Sequence, residues 1–255
     1  MQRHVLIPLI VSTSLLMQNI DSTALVTALP MIAQSLDEQP VRLHMAITAY
    51  MLSFAAFLPL SGWLADRYGP KQIFRLSIAL FTLASILCGF AQTYPQLIML
   101  RVLQGIGGAM MVPVGRIILV RSVTKAELVS AMALMGLPSI VGPVIGRAIA
   151  QLSSWRCIFW INVPIGVIGI FLIERYIEEV KTGVNAAFDW RGFILLGYGV
   201  GAMVFGMDLL AQEPGVRAVL FLATGALALI FYLRHARTAE EPILQLSLLR
   251  VRTFA

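Results

Sequence analysis

The chain has 255 residues, 58% of them hydrophobic and only 13% charged, with mean hydropathy +0.84, a formal net charge of +6 and a pI near 9.7. A soluble domain carries about 45–50% apolar and about 25% charged residues, so this composition excludes one and describes an integral membrane protein. The basic balance would fit a nucleic-acid partner only if the cations gathered on one soluble face; here they lie in loops between apolar runs, and no nucleic acid is expected.

The first apolar run, Val5 to Leu29, follows Arg3 and His4 and contains Gln18, Asn19 and Asp21. It exceeds a secretory h-region of about 7–15 residues and reads as a retained span. A loop from Pro30 to His44 leads to two further spans, Met45 to Leu64 and Ile73 to Ala91. Each is long enough to cross, since about 20 residues at ~1.5 Å rise cover about 30 Å of hydrocarbon. Between them lies SGWLADRYGPKQ, residues 61–72, read as a tight turn bracketed by Gly62 and Gly69 that presents Asp66, Arg67 and Lys71.

Leu97 to Val120 forms a fourth span, interrupted by Arg101, Gln104, Gly105, Gly107, Gly108 and Arg116. Ala131 to Ala150, the fifth, holds Gly136, Pro138, Gly142, Pro143, Gly146 and Arg147. Ile158 to Ile173 is the sixth. A more polar linker, Glu174 to Gly192, precedes two more spans, Phe193 to Ala211 and Ala218 to Leu233, which makes eight. Beyond Glu241, Arg250 and Arg252 read as the basic flank of a ninth span cut off at Ala255.

Lys and Arg place the termini. With the N-terminus inside, thirteen fall on the cytoplasmic loops, whereas Arg42, Arg156 and Arg217 alone fall outside, so both ends and the charged turn are expected in the cytoplasm. Trp63 and Trp190 then lie at the inner interface, with Trp155 and Trp160 near the outer one. Two cysteines, Cys88 and Cys157, offer no disulfide framework. With no metal-ligand spacing and no GxxxxGK[ST] loop, neither metal, cofactor nor ATP drive is expected.

Two charged residues deep in spans stand out. Asp21 is the only carboxylate more than about a turn inside any span, and it shares a helix face with Ser14 and Gln18, a stripe that would face a cavity. A charge there costs about 2.5–3.5 kcal/mol on insertion scales, so Asp21 is either a reversible proton site or a hydrogen-bonded acid that only holds its span to a neighbour. Arg101 cannot shed its charge; it either biases a nearby acid toward proton release or snorkels outward and locks a helix contact. Gly105, Gly107 and Gly108 read as close packing. Asp66 and Arg67 read as a conformational latch, with Asp66 stabilised by the dipole of the following helix, or else as a solvated topogenic turn. Gly142, Pro143 and Gly146 would bend the fifth span.

Five stretches together resemble the major facilitator superfamily, and within it the fourteen-span drug:proton antiporter branch: NIDSTALVTALP (19–30), GWLADRYGPKQ (62–72), RVLQGIGGA (101–109), GLPSIVGPVIG (136–146) and WRCIFWINVPIG (155–166). The resemblance implies an all-α membrane fold: a six-span bundle over 1–182 built from two inverted three-helix repeats, two linker spans over 183–239, and a segment, 240–255, leading into a ninth span truncated before a C-terminal bundle. It implies proton-coupled export of small amphipathic compounds through an inner membrane, with Asp21 and Arg101 at the coupling centre. Gly62, Asp66, Arg67, Gly69 and Lys71 would form the latch, Gln104, Gly105 and Gly108 the fourth-span motif, and Gly136, Gly142, Pro143 and Gly146 the antiporter motif. Its partners would be a small-molecule substrate, protons, lipid, and a missing C-terminal half or second copy. The alternative is a truncated, non-transporting membrane scaffold or relic. Two departures are visible: Pro70 stands where the family has a basic residue, and Arg147 stands where a second glycine is usual.

Overall fold

A computed structural model describes residues 3–124, 126–136, 144, 154–179, 187–212, 214–239 and 241–244, and these contain helices and turns but no strand. The architecture is all-α: in hydrocarbon each backbone N–H and C=O must be satisfied within its own segment, so apolar runs become helices. The helices are α1 (Arg3–Leu36), α2 (Pro40–Phe57), α3 (Leu60–Tyr68), α4 (Pro70–Gly89), α5 (Tyr94–Ser122), α6 (Arg156–Trp160), α7 (Asn162–Tyr176), α8 (Trp190–Gln212) and α9 (Val216–Thr238). Residues 128–136 are also helical. Seven spans follow if α2 and α3 count as one bent span; the expected fifth span, 131–150, lies mostly outside the described residues, with Gly142, Pro143, Gly146 and Arg147.

Most helix ends run on past the apolar bounds, whereas α4 stops at Gly89, short of Ala91. The first continues through Pro30 to Leu36, so the expected loop Pro30 to His44 shrinks to 37–39, closed by Asp37 at φ 53° and by α2 opening on Pro40. Proline costs a helix one internal hydrogen bond, which a long packed helix tolerates, whereas at the first position it costs none.

The stretch 61–72 differs more. The second span bends by 54° at Pro59, which caps α3, and the chain is then helical through Tyr68. Gly62 sits inside α3 and so makes no turn, and among the described residues a Cβ there would meet nothing within 4 Å; the turn is Gly69 alone, at φ 93°, a conformation that favours glycine. Pro70 then begins α4, where its missing N–H is no loss, and Ile73 N–H donates to Gly69 O at 3.2 Å to start the ladder.

Two apolar clusters form the core of the bundle. One contains Ile7 and Val11 of α1, Phe74 and Phe81 of α4, and Met111 and Ile118 of α5; the other contains Leu25 and Ile32 of α1, Cys88 of α4, Leu97 of α5, and Trp155 and Phe159. Trp155 therefore faces inward at 4% exposure and not toward lipid, whereas Trp160 and Trp190 are exposed. Helices α8 and α9 pack on each other through Gly199 and Gly225, each facing the other's backbone. The pair docks on α2: Gly197 meets the Ala56 carbonyl, and Thr48 Oγ1 donates to Asp208 Oδ2 at 2.8 Å. At the opposite end the Trp63 ring of α3 packs at a tilt against Phe188 with ring centres 4.6 Å apart, and Asp189 accepts from Gly192 N–H to cap α8.

Candidate functional site

The two clusters leave a gap at one level of the bundle, and the buried charges fall in it. On α1, Asp21 lies between Met17 of the first cluster and Ala24 of the second; on α5, Arg101 and Gln104 lie between Leu97 and Met111. All three side chains are buried, Asp21 and Gln104 at 0% and Arg101 at 1% exposure. Arg101 Nη1 donates to Asp21 Oδ2 at 2.6 Å and to Gln104 Oε1 at 2.7 Å, while Gln104 Nε2 donates to Asp21 Oδ1 at 3.0 Å. The triad is closed: each carboxylate oxygen has a donor, and the amide bridges acid and base. Charge-assisted bonds of this length are the strong kind, and a buried charge is tolerated only with such partners.

Helix α2 completes the guanidinium's surroundings. Arg101 Nε donates to Ala46 O at 3.3 Å, and the guanidinium lies over the Tyr50 ring, 4.5 Å from its centre. Cys88 of α4 lies 3.8 Å from Gln104 Oε1. Arg101 thus points into the bundle and does not snorkel. Of the stripe Ser14, Gln18 and Asp21, two residues reach α5: Asp21 through Arg101 and Gln104, and Gln18, whose Nε2 donates to Gly108 O at 2.8 Å; Ser14 Oγ turns back to Val11 O.

Glycines set these distances. A Cβ on Gly105 would overlap the Ser53 hydroxyl and come within 2.5 Å of the Tyr50 carbonyl oxygen, so its absence lets α2 lie against α5. On Gly107 a Cβ would come within 2.8 Å of Phe81 N, the contact that admits α4 from the other side, and on Gly108 within 2.8 Å of Tyr50 Oη. Among the described residues, nothing lies within 4 Å of a Cβ placed on Gly136.

The expected latch residues do not form one cluster. Asp66 lies in the last turn of α3 and pairs with Arg121 of α5 at 3.4 Å, Arg67 lies over the Trp63 ring at 5.2 Å, and Lys71 reaches Glu174 of α7 at 3.5 Å, where Arg75 also pairs with Glu174. These contacts link the end of α3 to that of α5 and the start of α4 to the end of α7, on either side of Gly69. Asp66 and Arg121 are 51% and 36% exposed, and such pairs contribute less than about 1 kcal/mol. Asp66→Asn is expected to leave the unfolding midpoint of the purified protein nearly unchanged, within that limit. A large destabilisation would mean that Asp66 is a structural anchor.

Sequence reasoning singled out Asp21 and Arg101 but missed Tyr50, the Ala46 carbonyl and Cys88, which carry no signal in an apolar helix. Gln104, three residues after Arg101, was visible as sharing its helix face and as part of the fourth-span motif, but its bonds to Asp21 and Arg101 were not.

A family model described as the Major Facilitator Superfamily matches residues 11–189, across the triad and the helices that hold it. The chain belongs to the major facilitator superfamily. Among curated relatives, MdtD of Escherichia coli (strain K12 / DH10B), provisionally named a multidrug resistance protein, is 40% identical over 257 residues, covering 96% of this chain and 53% of its own length. MdtD of Shigella boydii serotype 18 matches to the same extent. This superfamily chain spans about half the length of the curated relatives it matches. Two solved structures share its fold: the human organic anion transporter MFSD10 (TETRAN), with a TM-score of 0.59 at 14% identity over 92% of this chain and 63% of that one, and an auto-inhibited POT family peptide transporter, with a TM-score of 0.59 at 16% identity over 91% and 53%. As a superfamily member with several apolar spans, it is a multi-pass membrane protein.

Proposed function

We propose that this chain forms the proton-coupling half of a secondary transporter that exports small amphipathic compounds in exchange for protons. The observation that carries the reading is the Asp21–Arg101 pair, 2.6 Å long and shut between two apolar clusters. A proton reaching Asp21 cancels the carboxylate and strands a guanidinium that cannot release its own charge. An uncompensated cation in a low-dielectric bundle is costly, so proton occupancy biases the packing of α1, α2 and α5 against whatever closes on them. The relatives' multidrug name supports an amphipathic substrate class.

Alternating access needs a second bundle closing on this one, provided by a C-terminal bundle or by a second copy of the chain. The Lys and Arg distribution supports an inner-membrane orientation with both termini cytoplasmic, so that protons enter at the opposite face. The test is Asp21→Asn in the open reading frame that carries these residues, reconstituted in proteoliposomes with an imposed pH gradient and a fluorescent amphipathic cation. Uphill accumulation is expected to vanish while downhill exchange persists. Uphill transport at the unsubstituted rate removes Asp21 from the coupling role.

A further inference from the structure

Resting on that reading, we propose that Tyr50 is a positioning residue of the coupling site: its ring face sets how readily the Asp21–Arg101 pair takes up a proton. Three observations place it there. The guanidinium of Arg101 is 4.5 Å from the Tyr50 ring centre, the carbonyl of Ala46 one turn earlier accepts from Arg101 Nε, and Gly105 lets this stretch of α2 lie directly on α5. No other cation among the described residues reaches the site. Among the described residues Asp21 and Arg101 are the charged side chains within the buried core, and the other titratable groups facing them are Tyr50 from α2 and Cys88 from α4.

The sign of the effect follows from the ring quadrupole. Its negative face attracts a cation and repels an anion. While Asp21 is charged, attraction to Arg101 is offset by repulsion from the adjoining carboxylate. Once Asp21 is protonated the attraction stands alone, and the guanidinium keeps three neutral partners: the ring, the Ala46 carbonyl and Gln104 Oε1. The ring therefore favours the protonated pair, and weakening it makes proton uptake harder.

The experiment replaces Tyr50 with phenylalanine and, by site-specific incorporation, with 3,4,5-trifluorophenylalanine, which keeps the shape of the ring while removing its negative face. Each variant is made in the open reading frame that carries these residues, and the pH at half-maximal uphill transport is measured in proteoliposomes. Phenylalanine is expected to keep the midpoint. The trifluoro ring should lower it by about one pH unit, a tenfold loss of proton affinity, which lies within the range of a desolvated cation–π contact. Tyr50→Leu should shift it in the same direction, and equal purified yields of the phenylalanine and trifluoro variants separate this from misfolding. An unchanged midpoint in the trifluoro variant overturns the proposal. So does an equal shift with plain phenylalanine, which would assign the effect to the hydroxyl. An Asp21→Asn control that keeps the original midpoint defeats the coupling reading itself, and separately identifies that failure.

Discussion

Arg101→Ala is expected to destabilise the protein by about 3–5 kcal/mol and to abolish proton-driven transport, because it leaves Asp21 buried without its counter-charge. The cost comes less from losing an attraction than from stranding an acid at 0% exposure between two apolar clusters. Combining Arg101→Gln with Asp21→Asn removes both charges while keeping groups able to hydrogen-bond, so most of the stability should return and the transport should not. Thermal unfolding in detergent alongside proteoliposome uptake separates the two outcomes. A double variant as unstable as Arg101→Ala would show that the ion pair is needed for the fold and would weaken the case for a coupling role. An Arg101→Ala protein that still pumps uphill would end it.

The second large effect is expected at Gly105, where the smallest side-chain change meets an unyielding neighbour. In Gly105→Ala the new methyl overlaps the Ser53 hydroxyl, which can rotate away, but it also comes within 2.5 Å of the Tyr50 carbonyl oxygen, which belongs to the α2 backbone. The helices must therefore separate, at a cost of about 1–3 kcal/mol typical of overpacking. Separation draws Tyr50 and Ala46 off Arg101, so transport should fall with stability. Adding Ser53→Ala relieves only the hydroxyl and should recover little of either, as read by unfolding midpoint and initial transport rate. Full recovery in the double variant would mean that the backbone approach of α2 to α5 is looser than 2.5 Å implies.

The same contrast between side chain and backbone explains what could be read in advance. Asp21 and Arg101 are conspicuous because charge in an apolar run is costly wherever it falls, a property of each residue and its immediate neighbours. The stretch 61–72 was harder. Its glycines and charges look like one exposed turn, yet the helix persists to Tyr68 because only Gly69 adopts a left-handed conformation, and the bend occurs earlier, at Pro59. Glycine is a necessary condition for such a turn and not a sufficient one, so Gly62 and Gly69 could not be told apart by composition.

Sequence alone determined that this chain spans a membrane many times as helix, since hydrocarbon leaves an apolar run no other way to satisfy its backbone, and that requirement is local and additive along the chain. The five motifs in order identified the family for the same reason: each is a short, contiguous pattern. Tertiary structure decided which groups meet. Asp21 and Arg101 are 80 positions apart, and their contact depends on where α1 crosses α5. That Tyr50 and not another aromatic covers the guanidinium depends on how closely α2 approaches at Gly105. Helix crossing points are set by many small-residue contacts summed over whole interfaces, a quantity that no window of sequence contains.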